Sequence, residues 1–164
     1  RFEITNAQFA AFDNGFQYPA HHANFPALVS FEQAQEYIEW LNEETGEDYR
    51  LPSATEASKW HKKARKAAKN SNNLQYWAGY DITQDDVPLF RKKLSEAKAT
   101  LLMEVGSFKP IKLGDAEVYD LAGNAAEYFG EEGKTYGFDA ASFVDPHDET
   151  LPETSIYRGF RVVK

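Results

Sequence analysis

Apolar and polar positions follow one period in the first part of the chain and another after Leu101. Beyond Ser30, the residues Phe31, Ala34, Tyr37, Ile38 and Leu41 recur at helical spacing, and Gly46 in ETGEDY supplies a stop. Three helix starts share one device, a Ser or Thr followed three residues later by Gln or Glu, so that side chain and backbone cap each other. These pairs are Thr5 with Gln8, Ser30 with Gln33 and Ser53 with Glu56. The first follows a strand-like RFEI. The third opens a helix predicted from about Ala54 to about Lys69, ending in NSNN. LQYWAGY, at 74–80, is aromatic enough to be core, and TQDDVPLFRKKLSEA reads as a short helix with its acids first, matching the helix dipole. From Leu101 short extended pieces take over: LLMEVGSF, AEVYDL, KTYGFDAASFV and YRGFRVV. Helices early and short strands among loops late predict a loop-rich α+β fold without internal repeats.

One stretch fits neither period. VYDLAGNAAEYF, 118–129, is too apolar for a surface loop and too broken by Gly123 for a core helix, yet it carries Asp120, Asn124 and Glu127. Side chains of this kind bond readily to nearby backbone in turns, and they also bind cations.

Composition narrows the choice. The 164 residues, 42% apolar and 15% aromatic, suit one folded domain, 1–164, expected to be a segment of a longer chain. A formal charge of −8 disfavours nucleic acid and favours a cation as the charged partner. Against that balance Lys59, Lys62, Lys63, Arg65, Lys66 and Lys69 form a basic cluster, read as a solvated helix face. There is no cysteine, which removes thiolate metal sites and thiol nucleophiles, and there is no apolar run long enough to span a membrane. His21 and His22 are adjacent, so their side chains diverge and lack a third ligand; they read as surface residues. Asp145, His147, Asp148 and Glu149 read equally as a cation site or as an exposed acidic turn, and Ser142 and Ser155 lack a nucleophile-elbow context.

Five blocks occur in a telling order: EITNAQFAAF, PALVSFEQAQEYIEWLNEETGEDYRLP, EVGSFKP, VYDLAGNAAEYF and RGFRVV. In order and spacing they resemble the formylglycine-generating enzyme (sulfatase-modifying factor) family over nearly the whole chain except about 54–100. The resemblance implies a variant of the C-type-lectin-like fold with a small twisted antiparallel sheet and flanking helices. It also implies that VYDLAGNAAEYF is a calcium loop, with ligands from the carboxylate of Asp120, the carbonyls of Gly123 and Ala125 and the carboxylate of Glu127. A tight turn presenting hard oxygens suits Ca²⁺ chemically. Asp120 stands where the family more often has Asn.

The chain also departs from the family. The cysteine pair that binds copper in oxidising members is absent, and no other side chain replaces two soft thiolates, so formylglycine generation is not expected. After RLP the chain reads SATEASKW, which moves Trp60 one helical turn on while keeping it a core anchor. The family's second calcium loop is rewritten as DITQDDVPLFRKKL, so no second site is expected there. Arg158 and Arg161 are expected to brace the fold.

The resemblance therefore implies a non-catalytic, calcium-stabilised binding or structural module of a larger bacterial extracytoplasmic protein, in the periplasm, at the cell surface or secreted. Its partners would be other domains or subunits, with a protein or glycan as ligand. Residues 130–150 are one candidate face, with Tyr136, Phe138 and Phe143 reading equally as exposed aromatics or as core. The alternative is the substrate-binding domain of a non-haem iron enzyme related to the sulfoxide synthases of ergothioneine synthesis, whose iron histidines lie on another domain.

Overall fold

The computed structural model describes residues 1–75, 83–144, 147, 150–151 and 155–164. All three anticipated capping boxes form and start α1 (Asn6–Phe12), α2 (Phe31–Thr45) and α3 (Ala54–Ala67). In each, the hydroxyl of Thr5, Ser30 or Ser53 accepts a backbone N–H while the residue three later returns a bond to the cap, a device worth about 1 kcal/mol per helix. Gly46 ends α2 in the left-handed region at φ 68°, where a Cβ is disfavoured. A 3-10 turn, Ala68–Asn70, continues α3, and another, Gln84–Asp86, leads into α4 (Val87–Ala97). Of LQYWAGY, Leu74 is fully buried and 76–80 lie outside the described residues.

The extended pieces are shorter than their sequence runs. β1 (Ile111–Leu113) and β2 (Ala116–Val118) form an antiparallel hairpin whose turn begins at Gly114, φ 66°. β3 (Ala126–Tyr128) is the centre of a three-stranded sheet, antiparallel to β4 (Thr135–Tyr136) and parallel to β5 (Arg158–Gly159). The sheet is thus mixed, since the long connection between 128 and 158 lets β5 return in the same direction as β3. LLMEVGSF, expected to be extended, is irregular and turns at Gly106; its amides bond to scattered side chains and, at Val105 and Ser107, to the carbonyls of Asn24 and Glu104 rather than along a neighbouring strand.

Three apolar clusters fill the interior. The first joins α1 and α2 to the chain after β5: Phe9 stacks on Tyr37 at 5.6 Å, and Phe160 meets Tyr37 edge-on at 5.4 Å. In the second, Ala57, Ala64 and Ala68 let α3 lie close over Leu121, Phe129, Tyr136 and Phe138. Trp60 is half-buried there, edge-on to Tyr136 at 5.7 Å, which agrees with its reading as an anchor. The third, around Ala125, Ala140, Ala141 and Tyr157, receives Phe90 and Leu94 of α4. All three clusters touch the stretch 118–129, which therefore sits where they meet.

Candidate functional site

That stretch is a buried polar turn. Asp120 and Asn124 both adopt positive φ, 66° and 71°, a conformation that Asp and Asn tolerate better than other side chains with a Cβ. Between them the Gly123 amide donates to the Asp120 carbonyl at 3.0 Å, closing a tight turn. Gly123 is required by contact rather than by φ, because a Cβ there would lie 2.1 Å from the Asn72 carbonyl oxygen. The same carbonyl accepts from the Asn124 amide at 2.7 Å.

Asn124 is the hub. Its Oδ1 accepts from Asn72 Nδ2 at 2.9 Å and from the Met103 amide at 2.9 Å, while its Nδ2 donates to Glu3 Oε2 at 3.0 Å and to the Met103 carbonyl at 3.2 Å. Glu3 Oε1 accepts from the Ala125 amide at 3.0 Å. Four distant segments, around residues 3, 72, 103 and 124, are thereby tied by one amide side chain.

Glu127 occupies the middle of the central strand, opposite Tyr136 and Gly159. Both its oxygens face inward, where Arg161 donates to them through Nε and Nη2, and the Tyr136 hydroxyl donates to Oε2 at 2.6 Å. Arg161 is completed by the carbonyls of Arg1 at 2.9 Å and Tyr119 at 2.8 Å. Arginine therefore braces the fold at 161 as expected, whereas Arg158 is exposed and lies over the Tyr128 ring at 5.9 Å.

Electrostatics follow from the burial of three carboxylates with one guanidinium. Desolvation, then repulsion from Asp120 and Glu127, holds the Glu3 carboxyl well above the usual range. Desolvation likewise raises Asp120 to about 6, opposed by the Gly106 amide that donates to its Oδ2 at 2.6 Å. Burial and the negative Glu127 push the Tyr136 phenol well up. At Arg161 burial works downward, but the adjoining Glu127 outweighs it, and the guanidinium stays charged.

The four expected calcium ligands, Asp120, Gly123, Ala125 and Glu127, are brought into this one turn and strand. Two features suit a cation. Asp120 Oδ1 is buried without a hydrogen-bond partner, and three carboxylates against one guanidinium leave a formal excess of two negative charges when all are ionised. Two features do not suit a site shared by both acids. Glu127 is already paired with Arg161 and Tyr136, and among the described residues no three His, Asp or Glu side chains converge as a metal cluster. The donor set fits a cation held chiefly by Asp120 and turn carbonyls, with Glu127 committed to Arg161.

The family model for the sulfatase-modifying factor enzyme 1-like domain matches residues 1–164. The chain belongs to that family. No curated protein matches it. Among solved structures the domain is similar to PvdO from Pseudomonas aeruginosa, at 18% identity, covering 98% of this chain and 77% of that one with a TM-score of 0.60. The likeness establishes a shared α+β fold.

Other candidates fall elsewhere in this sulfatase-modifying-factor-like domain. Tyr136 and Phe138 are buried, 0% and 7% exposed, which decides between their two readings in favour of core; Phe143 is half-buried. Ser142 donates to Asp139 at 2.7 Å in a local turn. His21 is exposed, while His22 stacks on Phe25 at 4.1 Å. Asp145, Asp148 and Glu149 lie outside the described residues. Glu56 serves its capping box and pairs with Arg50 at 2.8 Å, with the Arg50 hydrogen bonds lowering its pKa to about 2. Glu3 and Asn72 were missed from sequence. Glu3 carried a signal as a lone acid between Phe2 and Ile4, whereas NSNN read only as a helix end.

Proposed function

We propose that the chain is a non-catalytic, calcium-stabilised binding or structural module within a larger bacterial extracytoplasmic protein. The observation that carries this reading is the complete burial of the polar centre: Glu3, Asp120, Asn124, Glu127, Arg161 and Tyr136 bond to one another and to backbone, out of reach of any substrate. A cluster of this kind holds segments together rather than turning over a ligand, and the chain has no cysteine with which to run the family's copper chemistry. The partnerless Asp120 oxygen and the excess negative charge support the calcium half of the reading. An extracytoplasmic setting follows from calcium, since free Ca²⁺ at extracellular concentrations suffices for sites of modest affinity.

Thermal unfolding in EDTA, in Ca²⁺ and in Mg²⁺ tests it. Ca²⁺ at about a hundred times its Kd adds close to 3 kcal/mol, a rise in Tm of several degrees, and Mg²⁺ does not substitute because it resists dehydration. Identical melts in all three conditions overturn the calcium reading.

A further inference from the structure

We infer that the groove between α3 and the β1–β2 hairpin is a docking site for an acidic peptide segment of a partner protein. The groove encloses about 940 Å³; its walls carry Lys59, Lys63 and Lys112, and its floor includes Trp60, Val118 and Val163. A second depression, along the first two turns of α3, shares Lys59 and Lys63 with it. Those two lysines thus stand on a ridge between adjoining hollows, and a ligand that engages both hollows is extended rather than compact.

Charge supports the choice of partner. The −8 of the chain is unevenly divided: residues 31–48 hold seven acids and no Lys or Arg, all seven exposed, whereas α3 and its continuation to Lys69 hold six bases and one acid. That single acid, Glu56, is tied to Arg50. The groove is therefore locally positive on an acidic molecule, an arrangement that steers an acidic partner to one face and repels it from the other. The groove is also pre-formed, because Lys63 Nζ donates to the Lys112 carbonyl at 2.9 Å and fixes the hairpin against the helix. The two acids on the hairpin wall are Asp115 and Glu117, of which Glu117 pairs with Arg1 at 3.5 Å.

An acidic peptide matches both parts of this surface. Its carboxylates meet the lysines, and an interleaved aliphatic side chain covers the strip of Trp60 that its packing on Tyr136 leaves open. A nucleic acid brings a continuous phosphate charge that the acidic α2 face repels, and it has no aliphatic group for the floor. The inference needs only the groove and is independent of bound calcium.

The test is fluorescence anisotropy of a labelled Glu-Glu-Glu-Leu-Glu-Glu-Glu peptide with the intact chain at low and physiological salt. Saturable binding is expected, weakened roughly tenfold by Lys59→Glu with Lys63→Glu, the sum of exposed ion pairs individually worth little. Lys92→Glu with Lys93→Glu on α4 makes the same change in net charge away from the groove and leaves binding within about twofold. Lys112→Glu, on the hairpin, gives a second weakened variant if the α3 pair compromises folding. Replacing the central leucine by glycine weakens the peptide further if the floor is used. Absence of saturable binding, equal weakening by the α3 and α4 pairs, or tighter binding of polygalacturonate or single-stranded DNA than of the peptide overturns the proposal.

Discussion

Asp120→Asn isolates the electrostatic cost of the buried turn. Asp120 titrates at about 6 in the fold against an ordinary 3.8, so the folded state holds its proton more tightly than the unfolded chain does. The stability linked to that proton is fully present below pH ~4 and is lost as the pH rises through about 6. Two pKa units correspond to roughly 3 kcal/mol, and the neutral amide of Asn removes that loss while keeping an oxygen for the Gly106 amide. The new Nδ2 takes the position of the partnerless Oδ1, and an unsatisfied donor returns about 1 kcal/mol. Asn also suits φ 66° at least as well as Asp. The net expectation, in EDTA, is a gain of about 2 kcal/mol at pH 8, near 5 °C in Tm, which falls through zero as the pH drops and becomes a deficit of about 1 kcal/mol by pH 4. Urea unfolding followed by circular dichroism at each pH unit from 4 to 8 measures it. A variant less stable than the parent at pH 8, or a difference that does not change with pH, refutes the reasoning. With Ca²⁺ present the sign reverses if Asp120 is a ligand, because the parent alone then gains from the ion.

Other perturbations read different bonds of the same centre. Arg161→Met leaves Glu127 buried without its counter-charge and costs about 3–5 kcal/mol by urea unfolding; the double change Arg161→Met with Glu127→Leu costs less than Arg161→Met alone. Glu127→Gln loses most of the Arg161 pairing, so it melts below the parent in EDTA and in Ca²⁺ alike while keeping its response to Ca²⁺; a variant that no longer responds to Ca²⁺ makes Glu127 a ligand after all. Gly123→Ala drives a methyl into the Asn72 carbonyl and costs at least about 3 kcal/mol, seen as loss of cooperative melting or of soluble protein; a variant within 1 kcal/mol of the parent on the order of ordinary surface changes contradicts the 2.1 Å approach.

Much of the fold was legible because its signals are local. Capping pairs and the glycine stop act over three or four residues, and α1, α2 and α3 start where those pairs place them. The strands were legible only as extended pieces. LLMEVGSF has the apolar content of a strand, yet its amides at Leu101, Met103 and Gly106 bond to side chains of Tyr157, Asn124 and Asp120, which no local pattern encodes. The site divides in the same way. Positive φ at Asp120 and Asn124 and the turn at Gly123 accord with the odd punctuation of VYDLAGNAAEYF. The bonding of Glu127 to Arg161 and Tyr136 depends on strand register across 34 and 9 positions, and the role of Glu3 depends on a partner 122 positions away. Sequence spacing supplied candidate donors; tertiary pairing decided which of them remain free.

Arg161 also sets an order of assembly. Its guanidinium bonds Glu127 and the backbone of Tyr119 and Arg1, the last across 160 positions, so the acids at 3, 120 and 127 have no buried counter-charge until Arg161 has been synthesised. Those carboxylates then stay in water, and the central strand with them, until Arg161 is available to pair with them. Pairing between residues this far apart in sequence slows folding, and protection of the polar centre is expected only once Arg161 is in place. Protease resistance of ribosome-bound chains should stay low until Arg161 has cleared the exit tunnel, and early protection of 118–129 would contradict that order.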